Sequence, residues 1–354
     1  MKNIVPKAPY KIITDFLREK IYKDYAPGDM VPSENELANM FKVSRLTARK
    51  AIDKLVSDGL LVRVQGIGTF VSDLAKFNKN SVKSVGVFIM NRFDDRGLSI
   101  TGGIVKTLER FYINPIIVDI AQNEEKYISH KLKALINQEI SGLIVTPSQV
   151  LLNIPIFRKL LSEKFPIVFV DRTIEDIDVP TVESDNYLGG LLLGKHFRKV
   201  HNIKKALFIT QEGFELTSVK DRYEGFKKGL SGEVDIFIAE KVEKIRKIIP
   251  DIKKKIYEGI FFCHDPLAIG GLFILWESGI RPPKDIKVVS FDNRDIAKFA
   301  LPKLTTVKQN FEAIGEEAAL FMVKILKGED VPKRSRIPVE LIIRNSCGCS
   351  EGGS

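Results

Sequence analysis

Apolar residues recur along this chain in two rhythms, and the switch between them divides the molecule. Residues 10–24 place Ile13, Phe16, Leu17, Ile21 and Tyr22 at helical intervals before the breaker "APGD", which predicts one amphipathic helix and its stop. "PSENELANMF" then offers Ser33 as N-cap with Glu36 three residues on. That capping box opens a second helix with Leu37, Met40 and Phe41 turned inward. After "KVS", Ser44 caps a third helix whose core positions Ala48, Ile52 and Leu55 leave Arg45, Thr47, Arg49 and Lys50 outward or flanking. Two strand-like runs follow, Leu60 to Val64 and Thr69 to Ser72, joined by a turn carrying Gln65, Gly66 and Gly68. Helix, helix, turn, helix and hairpin is the order of a winged helix-turn-helix.

The second rhythm begins beyond "SDLAKFNKNSVKS", residues 72–84, a polar stretch without apolar period that reads as a linker. Unbroken apolar runs now alternate with amphipathic segments. The runs are "VGVFIM" 85–90, "PIIVDIA" 115–121, "GLIVTP" 142–147, "PIVFVD" 166–171, "KALFIT" 205–210, "GIFFCHD" 259–265 and "IKVVSFD" 286–292; segments such as 128–136 and 314–326 have a helical period. Strands buried on both faces with helices between them predict an α/β body with doubly wound parallel sheets. The expected organisation is a head at 1–72, a linker at 73–84 and a body at 85–346. Ligands collect at the carboxyl ends of strands in such sheets.

Charge sharpens the picture of the head. The net charge of +10 permits an anionic partner without naming one, but residues 41–50 carry Lys42, Arg45, Arg49 and Lys50 and no carboxylate. A helix of this kind can lie in the major groove, with Arg bonding guanine bidentately, Ser44 and Thr47 nearby, and a glycine-bearing wing tip close to the minor groove. Three cysteines are too few for a disulfide framework and favour a reducing cytoplasm. Cys347 and Cys349 have no second pair at metal-ligand spacing, so neither a metal site nor a cofactor is expected. No signal peptide or membrane span is read in the chain, and no membrane partner is expected.

The stretch 32–71 closely resembles the GntR-type winged-helix regulators, whose pattern runs P-S-E-x-x-L-A, V-S-R-x-T-x-R-x-A-[LI]-x-x-L and G-x-G-T-[FY]-V. The resemblance implies binding to double-stranded operator DNA as a homodimer, through Ser33, Glu34, Asn35, Ser44, Arg45, Thr47, Arg49 and Lys50, with Gln65, Gly66 and Gly68 at the wing. Asn35 stands where the family often has Arg, and Ile67 where it commonly has a basic residue or glycine; both depart from its DNA contacts. Farther on, "SDNYLGG", "DRYEGFKKGL", "CHDPLAIGG", "VVSFDN" and "PKLTTVKQN" resemble the LacI-type sugar-sensing domain over about residues 83–345. The combination is similar to bacterial arabinose repressors.

A sugar presents hydroxyls that donate and accept, so its pocket needs carboxylates, amides, an arginine fork and an apolar surface. Asp171, Arg172, Asp185, Arg222, His264, Asp265, Asp292 and Gln309 are the polar candidates, with Phe93 and Tyr187 to stack. The resemblance matches Arg222 to the family's effector-contacting arginine and Asp292 to the aspartate that ends its penultimate motif strand, and puts His264 where Asn is common. It replaces the usual Gly-His turn with "RKVHN", a structural variation. Asp185 can equally be a helix cap. Gly189, Gly190, Gly270 and Gly271 read as close-packing positions, since no phosphate-binding glycine motif is present. If the lobes follow the family, lobe 1 takes about 85–185 and 310–332, lobe 2 about 186–309 and 333–346, with crossings near Asp185, Gln309 and Lys333.

The expected function is a repressor of sugar-utilisation genes released by a small neutral sugar, L-arabinose first, with a hexose, a phosphorylated sugar or a purine as alternatives. No nucleophile, base and orienting acid assemble in a recognisable motif, so an enzyme is not expected. An extracytoplasmic sugar carrier would share the body but not the head.

Overall fold

The computed structural model describes residues 8–72, 83–121, 124–174 and 176–351. Residues 73–82, most of the expected linker, lie outside the described residues, as does the side chain of Tyr22. The chain divides into two units, one ending at Lys83 and one beginning at Ser84.

Local signals build the first unit. Helix α1, Pro9–Lys23, starts on a proline whose missing N–H costs nothing at that position, and buries Ile13, Leu17 and Ile21. Helix α2, Glu34–Phe41, has the full capping box: the Glu36 N–H donates to Ser33 Oγ while the Glu36 carboxylate takes the Ser33 N–H. Helix α3, Arg45–Ser57, is capped by Ser44 and packs Ala48, Ala51, Ile52 and Leu55 inward. Met40, expected inside, is exposed instead. Strands β1, Leu61–Val64, and β2, Gly68–Val71, form the antiparallel wing. The breaker after α1 adds a strand edge the sequence hid: Met30 bridges to Phe70, and the Val31 N–H donates to Thr69 O at 3.0 Å.

The second unit is two lobes threaded by one chain. Strands β3 Ser84–Ile89, β4 Asn114–Asp119, β5 Gly142–Val145, β6 Ile167–Val170 and β7 Thr181–Ser184 alternate with α4 Asp95–Arg110, α5 Glu125–Asn137, α6 Gln149–Asn153 and α7 Pro155–Ser162. The chain then crosses at Asp185 and builds lobe 2. Helices there are α8 Asn186–His201, α9 Thr217–Leu230, α10 Ile249–Lys253, α11 Asp265–Glu277 and α12 Asp295–Phe299; strands are β8 Lys205–Thr210, β9 Glu233–Ile238, β10 Gly259–Phe262, β11 Lys287–Asp292 and β12 Thr305–Lys308. Past Gln309 it returns to lobe 1 as α13, Phe311–Leu326, and β13, Arg334–Ile337, and crosses last to β14, Glu340–Ile342. The two six-stranded sheets run β4-β3-β5-β6-β7-β13, all parallel, and β9-β8-β10-β11-β12-β14, with β14 antiparallel at the edge.

The third crossing corrects the expectation. Arg334 pairs with Thr181 and Ile337 with Ser184, so residues 334–337 belong to lobe 1 and the passage falls at Pro338 and Val339, not near Lys333. Within β13, an edge strand, Arg334 and Arg336 stand at alternate positions, and charged side chains there deter pairing with another chain.

Helices α8 and α9 cross at backbone contact. A Cβ on Gly190 would come within 2.2 Å of Arg222 O, and one on Gly225 within 2.1 Å of Tyr187 O. Overpacking of this kind typically costs about 1–3 kcal/mol, and here neither backbone can yield without moving Arg222. Gly190→Ala is therefore expected to lower the urea midpoint of the body, whereas Gly102→Ala, on the exposed face of α4 with nothing within 4 Å, is expected to raise it through helix propensity. Equal midpoints for the two variants would contradict the packing described.

Candidate recognition surface and interlobe cleft

The outward end of α3 is organised by one acid. Glu34 accepts from Arg45 Nε at 3.0 Å and Arg63 Nη2 at 3.2 Å, and Arg49 Nε stands 3.9 Å away. Arg63, on β1, also pairs with Asp53 at 2.9 Å. Glu34 thus acts on the basic face by setting the directions of three guanidinium groups. Arg45 and Arg49 stay exposed, one helical turn apart. The Thr47 hydroxyl sits 2.8 Å from that of Ser44, turned back onto the cap, and Asn35 is exposed beside them. Lys50 stands apart, its ammonium 4.6 Å above the Tyr10 ring of α1, so it belongs to the flank of the helix. At the wing tip Gln65 and Gly66 are exposed; Gly66 takes φ +77° with open space around it, and Gly68 lies against Met30 Sδ. Two residues escaped the sequence reading. Arg63 carries no local motif, and Leu46, 75% exposed in a helix with a full core stripe, shows its anomaly only once the burial is known.

In the body, a cleft of about 470 Å³ opens between the lobes at the carboxyl ends of the strands. Helix and strand ends deliver its charges. Asp171, just past β6, takes a left-handed backbone (φ +75°) and accepts from Arg96 of α4 at 2.8 Å. Burial alone would raise its pKa, but Arg96, Arg172 and Arg222 outweigh that and hold it below the ordinary carboxylate value. Arg172 reaches across to Glu212 of lobe 2 at 3.1 Å, and Arg294 of lobe 2 reaches back to Asp94 of lobe 1 at 3.1 Å and to Asp95. Two arginines therefore span the cleft through three ion pairs.

Arg222 is the most constrained of these groups. Its Nε donates to Asn186 Oδ1 at 2.8 Å, its Nη1 donates to Cys263 O at 2.7 Å and lies 3.5 Å from Asp292 Oδ1, and its guanidinium carbon sits 3.9 Å from the Phe291 ring centre. Asp292, at the end of β11, takes Gln309 Nε2 at 2.6 Å. Burial, with Asp171 adding to it, raises the Asp292 pKa despite the arginines. Gln309 Oε1 is buried and, among the described residues, accepts no hydrogen bond. His264 caps α11: Nδ1 accepts from the Leu267 N–H at 3.2 Å, which leaves the ring proton on Nε2. Burial and four arginines push its pKa down to about 3, so the ring is a neutral donor.

The cleft gathers Asp171, Arg172, Arg222, His264, Asp292 and Gln309, and omits four other candidates. Asp185 caps α8, accepting from the Leu188 N–H at 2.9 Å, and its own N–H donates to Ile337 O at the crossing. Tyr187 lies outside the lining, on the helix after that cap. Asp265 is fully buried behind the wall, where it accepts from Ser290, from Thr306 Oγ1 at 2.8 Å and from the Arg294 N–H at 2.7 Å; burial and Asp292 raise its pKa to about 7. Phe93 is 72% exposed and lines a separate hollow on α4 with Leu98 and Val105, because the turn at Asn91 and the Asp94 cap carry it outward. Among the described residues, no Phe, Tyr or Trp ring lines the cleft, and the His264 imidazole is the aromatic ring it holds. Arg96, Arg294, Asn91, Asp94, Gln211, Glu212 and Glu240 are among the lining residues sequence reasoning missed.

Comparison with known proteins agrees with both halves. Residues 9–71 match the bacterial regulatory proteins of the gntR family, and residues 201–347 match the periplasmic binding protein-like domain. An arabinose metabolism transcriptional repressor of Geobacillus stearothermophilus is 27% identical over 339 residues, spanning 90% of this chain and 92% of that protein. An HTH-type transcriptional repressor PurR of Haemophilus influenzae is 25% identical over 336 residues, spanning 88% and 97%. Among solved structures, a LacI family transcriptional regulator of Enterococcus faecium with bound ribose has the same fold over 75% of this chain and 98% of that one, with a TM-score of 0.62 and 23% identity.

The depressed His264 pKa gives a pH dependence of known sign. A ring with an ordinary pKa of 6.5 when unfolded and about 3 when folded stabilises the fold fully above pH 6.5 and loses that contribution as pH falls toward 3. Between pH 7 and pH 4.5 the urea midpoint of the wild-type body is expected to fall further than that of His264→Asn, whose side chain can keep the cap. Parallel curves would show that the ring titrates normally.

Proposed function

We propose that this chain, a GntR-type winged-helix head joined to a periplasmic-binding-protein-like body, is a transcriptional repressor that leaves its operator when a small neutral sugar, L-arabinose first, fills the cleft. The observation that carries the reading is the character of that cleft: arginines and acids drawn from both lobes, each already partnered, with no Phe, Tyr or Trp among the described lining residues to stack a flat base. A polyol can insert its hydroxyls among such pairs, donating to Asp171, Asp292 and Gln309 Oε1 and accepting from Arg222, Arg96 and His264 Nε2–H. A purine would lack its stacking surface. A phosphorylated sugar would meet a lining in which carboxylates outnumber guanidinium groups by one.

Induction then follows from differential binding. Sugar bridging lobe 1 and lobe 2 favours one lobe geometry over another, and three crossings, at Asp185, Gln309 and Pro338, are where the backbone takes up the change. In a homodimer that displaces two heads from the half-site spacing of a near-palindromic operator. The sugar must prefer the conformer that binds DNA poorly, since equal affinity for both would shift nothing. The partners are double-stranded DNA and the effector. The relatives' regulatory names and a cleft whose charges are mutually paired support a binding protein rather than an enzyme. Among the described residues no helix is long and apolar enough to cross a membrane.

A thermal-shift series tests the effector. L-Arabinose at 100-fold over its Kd is expected to add about 2.7 kcal/mol to the stability of the body and raise its melting temperature, with D-ribose, D-glucose, sugar phosphates and hypoxanthine weaker. Asp292→Asn and Arg222→Lys are expected to weaken the arabinose response by tenfold or more in concentration, while circular dichroism reports an unchanged fold. A shift with hypoxanthine or a sugar phosphate and none with any neutral sugar would overturn the effector assignment.

A further inference from the structure

The chain's only Cys-x-Cys pair meets two histidines that its sequence places about 150 residues away. His196 and His201 lie in the last turns of α8. Cys347 closes a short 3₁₀ turn, Asn345–Cys347, and Cys349 follows Gly348, whose left-handed backbone (φ +96°) folds the two thiols back toward one point. His196 Nε2 stands 3.3 Å from Cys347 Sγ and 3.3 Å from His201 Nε2; Cys349 Sγ stands 3.5 Å from His201 Nε2 and 4.0 Å from His196 Nε2. The four ligand atoms all lie within 4.8 Å of one another, with Cys347 and His196 buried and the other two half-buried.

From this geometry we propose that His196, His201, Cys347 and Cys349 form a tetrahedral zinc site. Bond lengths of about 2.0–2.1 Å to nitrogen and 2.3 Å to sulfur give tetrahedral edges of about 3.3–3.4 Å between nitrogens and about 3.6 Å between nitrogen and sulfur, close to the spacings found. Two imidazole nitrogens facing each other across two thiols form a poor hydrogen-bonding set, because four lone-pair donors converge with few protons to share. They suit one borderline-soft cation, and two thiolates with two neutral imidazoles cancel its charge. Four protein ligands close the coordination shell, so the site is structural. Thr305 Oγ1, 3.1 Å from Cys347 Sγ, supports that ligand from β12.

The position gives the ion a task. Helix α8 begins at the first lobe crossing, and the segment bearing the cysteines ends the strand that follows the third. Hydrogen bonds already tie that segment to its sheet: Ser346 Oγ donates to Val288 O at 2.7 Å and Arg344 Nη1 to Leu304 O at 2.8 Å. Zinc adds a coordinate tie from that segment to α8. It fixes in lobe 2 two of the three strands of chain that enter from the hinge.

Full-length protein purified without metal-affinity resin tests this by elemental analysis, followed by replacement with Co²⁺. About one zinc per chain is expected, and the cobalt form should show intense tetrahedral d–d absorption with thiolate charge transfer. Cys349→Ser and His201→Gln, both at half-buried positions, are expected to lower zinc content by more than about tenfold under a competing chelator, while Cys263→Ala retains it. Removing zinc from wild-type protein should lower the melting temperature of the body and expose two thiols to a colorimetric reagent. Metal-free protein with freely titrating thiols, a Cys347–Cys349 disulfide, or zinc retained in both ligand variants would each overturn the proposal.

Discussion

A charge taken out of water must find a partner, and the interlobe cleft is built to satisfy that demand. Desolvating a guanidinium or carboxylate costs several kcal/mol, and only good geometry repays it. Each cleft acid accordingly meets a cation: Asp171 meets Arg96, Glu212 meets Arg172, Asp292 meets Arg222, Asp94 meets Arg294 and Glu240 meets Lys244. Two of these pairs join opposite lobes, so the electrostatics that make burial tolerable also set the lobes' separation. A neutral polyol entering here exchanges hydrogen bonds without stranding a charge. The proposed sensitivity to a sugar rests on the same pairing that makes the buried arginines tolerable.

The same logic runs at smaller scale in the head. Glu34 gathers Arg45, Arg49 and Arg63 on a surface where three guanidinium groups would otherwise repel one another and sample many rotamers. Holding long side chains in advance lowers the entropy lost when they meet a groove. On the proposed function, the directions fixed by one carboxylate are those that base edges would meet.

Legibility in the sequence tracked the range of the signal. Caps and turns act over four residues, so Ser33 with Glu36, Ser44 and Gly66 located the head's elements to within a residue or two. Central strands such as β5 and β10 are unbroken apolar runs and were visible; β9 and β13, at sheet edges, alternate with charges and were not. In the cleft, strand-end residues Asp171, Arg172 and Asp292 could be read from position along the sheet, and Arg222 and Gln309 from resemblance. Arg96, Arg294 and Glu212 could not, because long side chains from α4 and from the loops after β11 and β8 meet only after folding. Asp185, Asp265, Tyr187 and Phe93 show the converse error. A polar or aromatic residue near a strand end can cap a helix, brace a wall from behind or face outward, and the chain's local pattern does not distinguish these outcomes. The Cys-x-Cys pair showed no partner at ligand spacing because His196 and His201, which meet it in space, lie about 150 residues away in the sequence.

The central claim is that sugar and operator compete through the shape of one body, and linkage makes it directly measurable. Arabinose affinity should be titrated with and without saturating operator DNA, and operator affinity with and without saturating arabinose, on the same preparation at one salt concentration. The expected result is that each ligand weakens the other by the same factor, at least about fivefold. Equal arabinose affinity in the presence and absence of DNA would contradict the mechanism, however tightly either ligand bound.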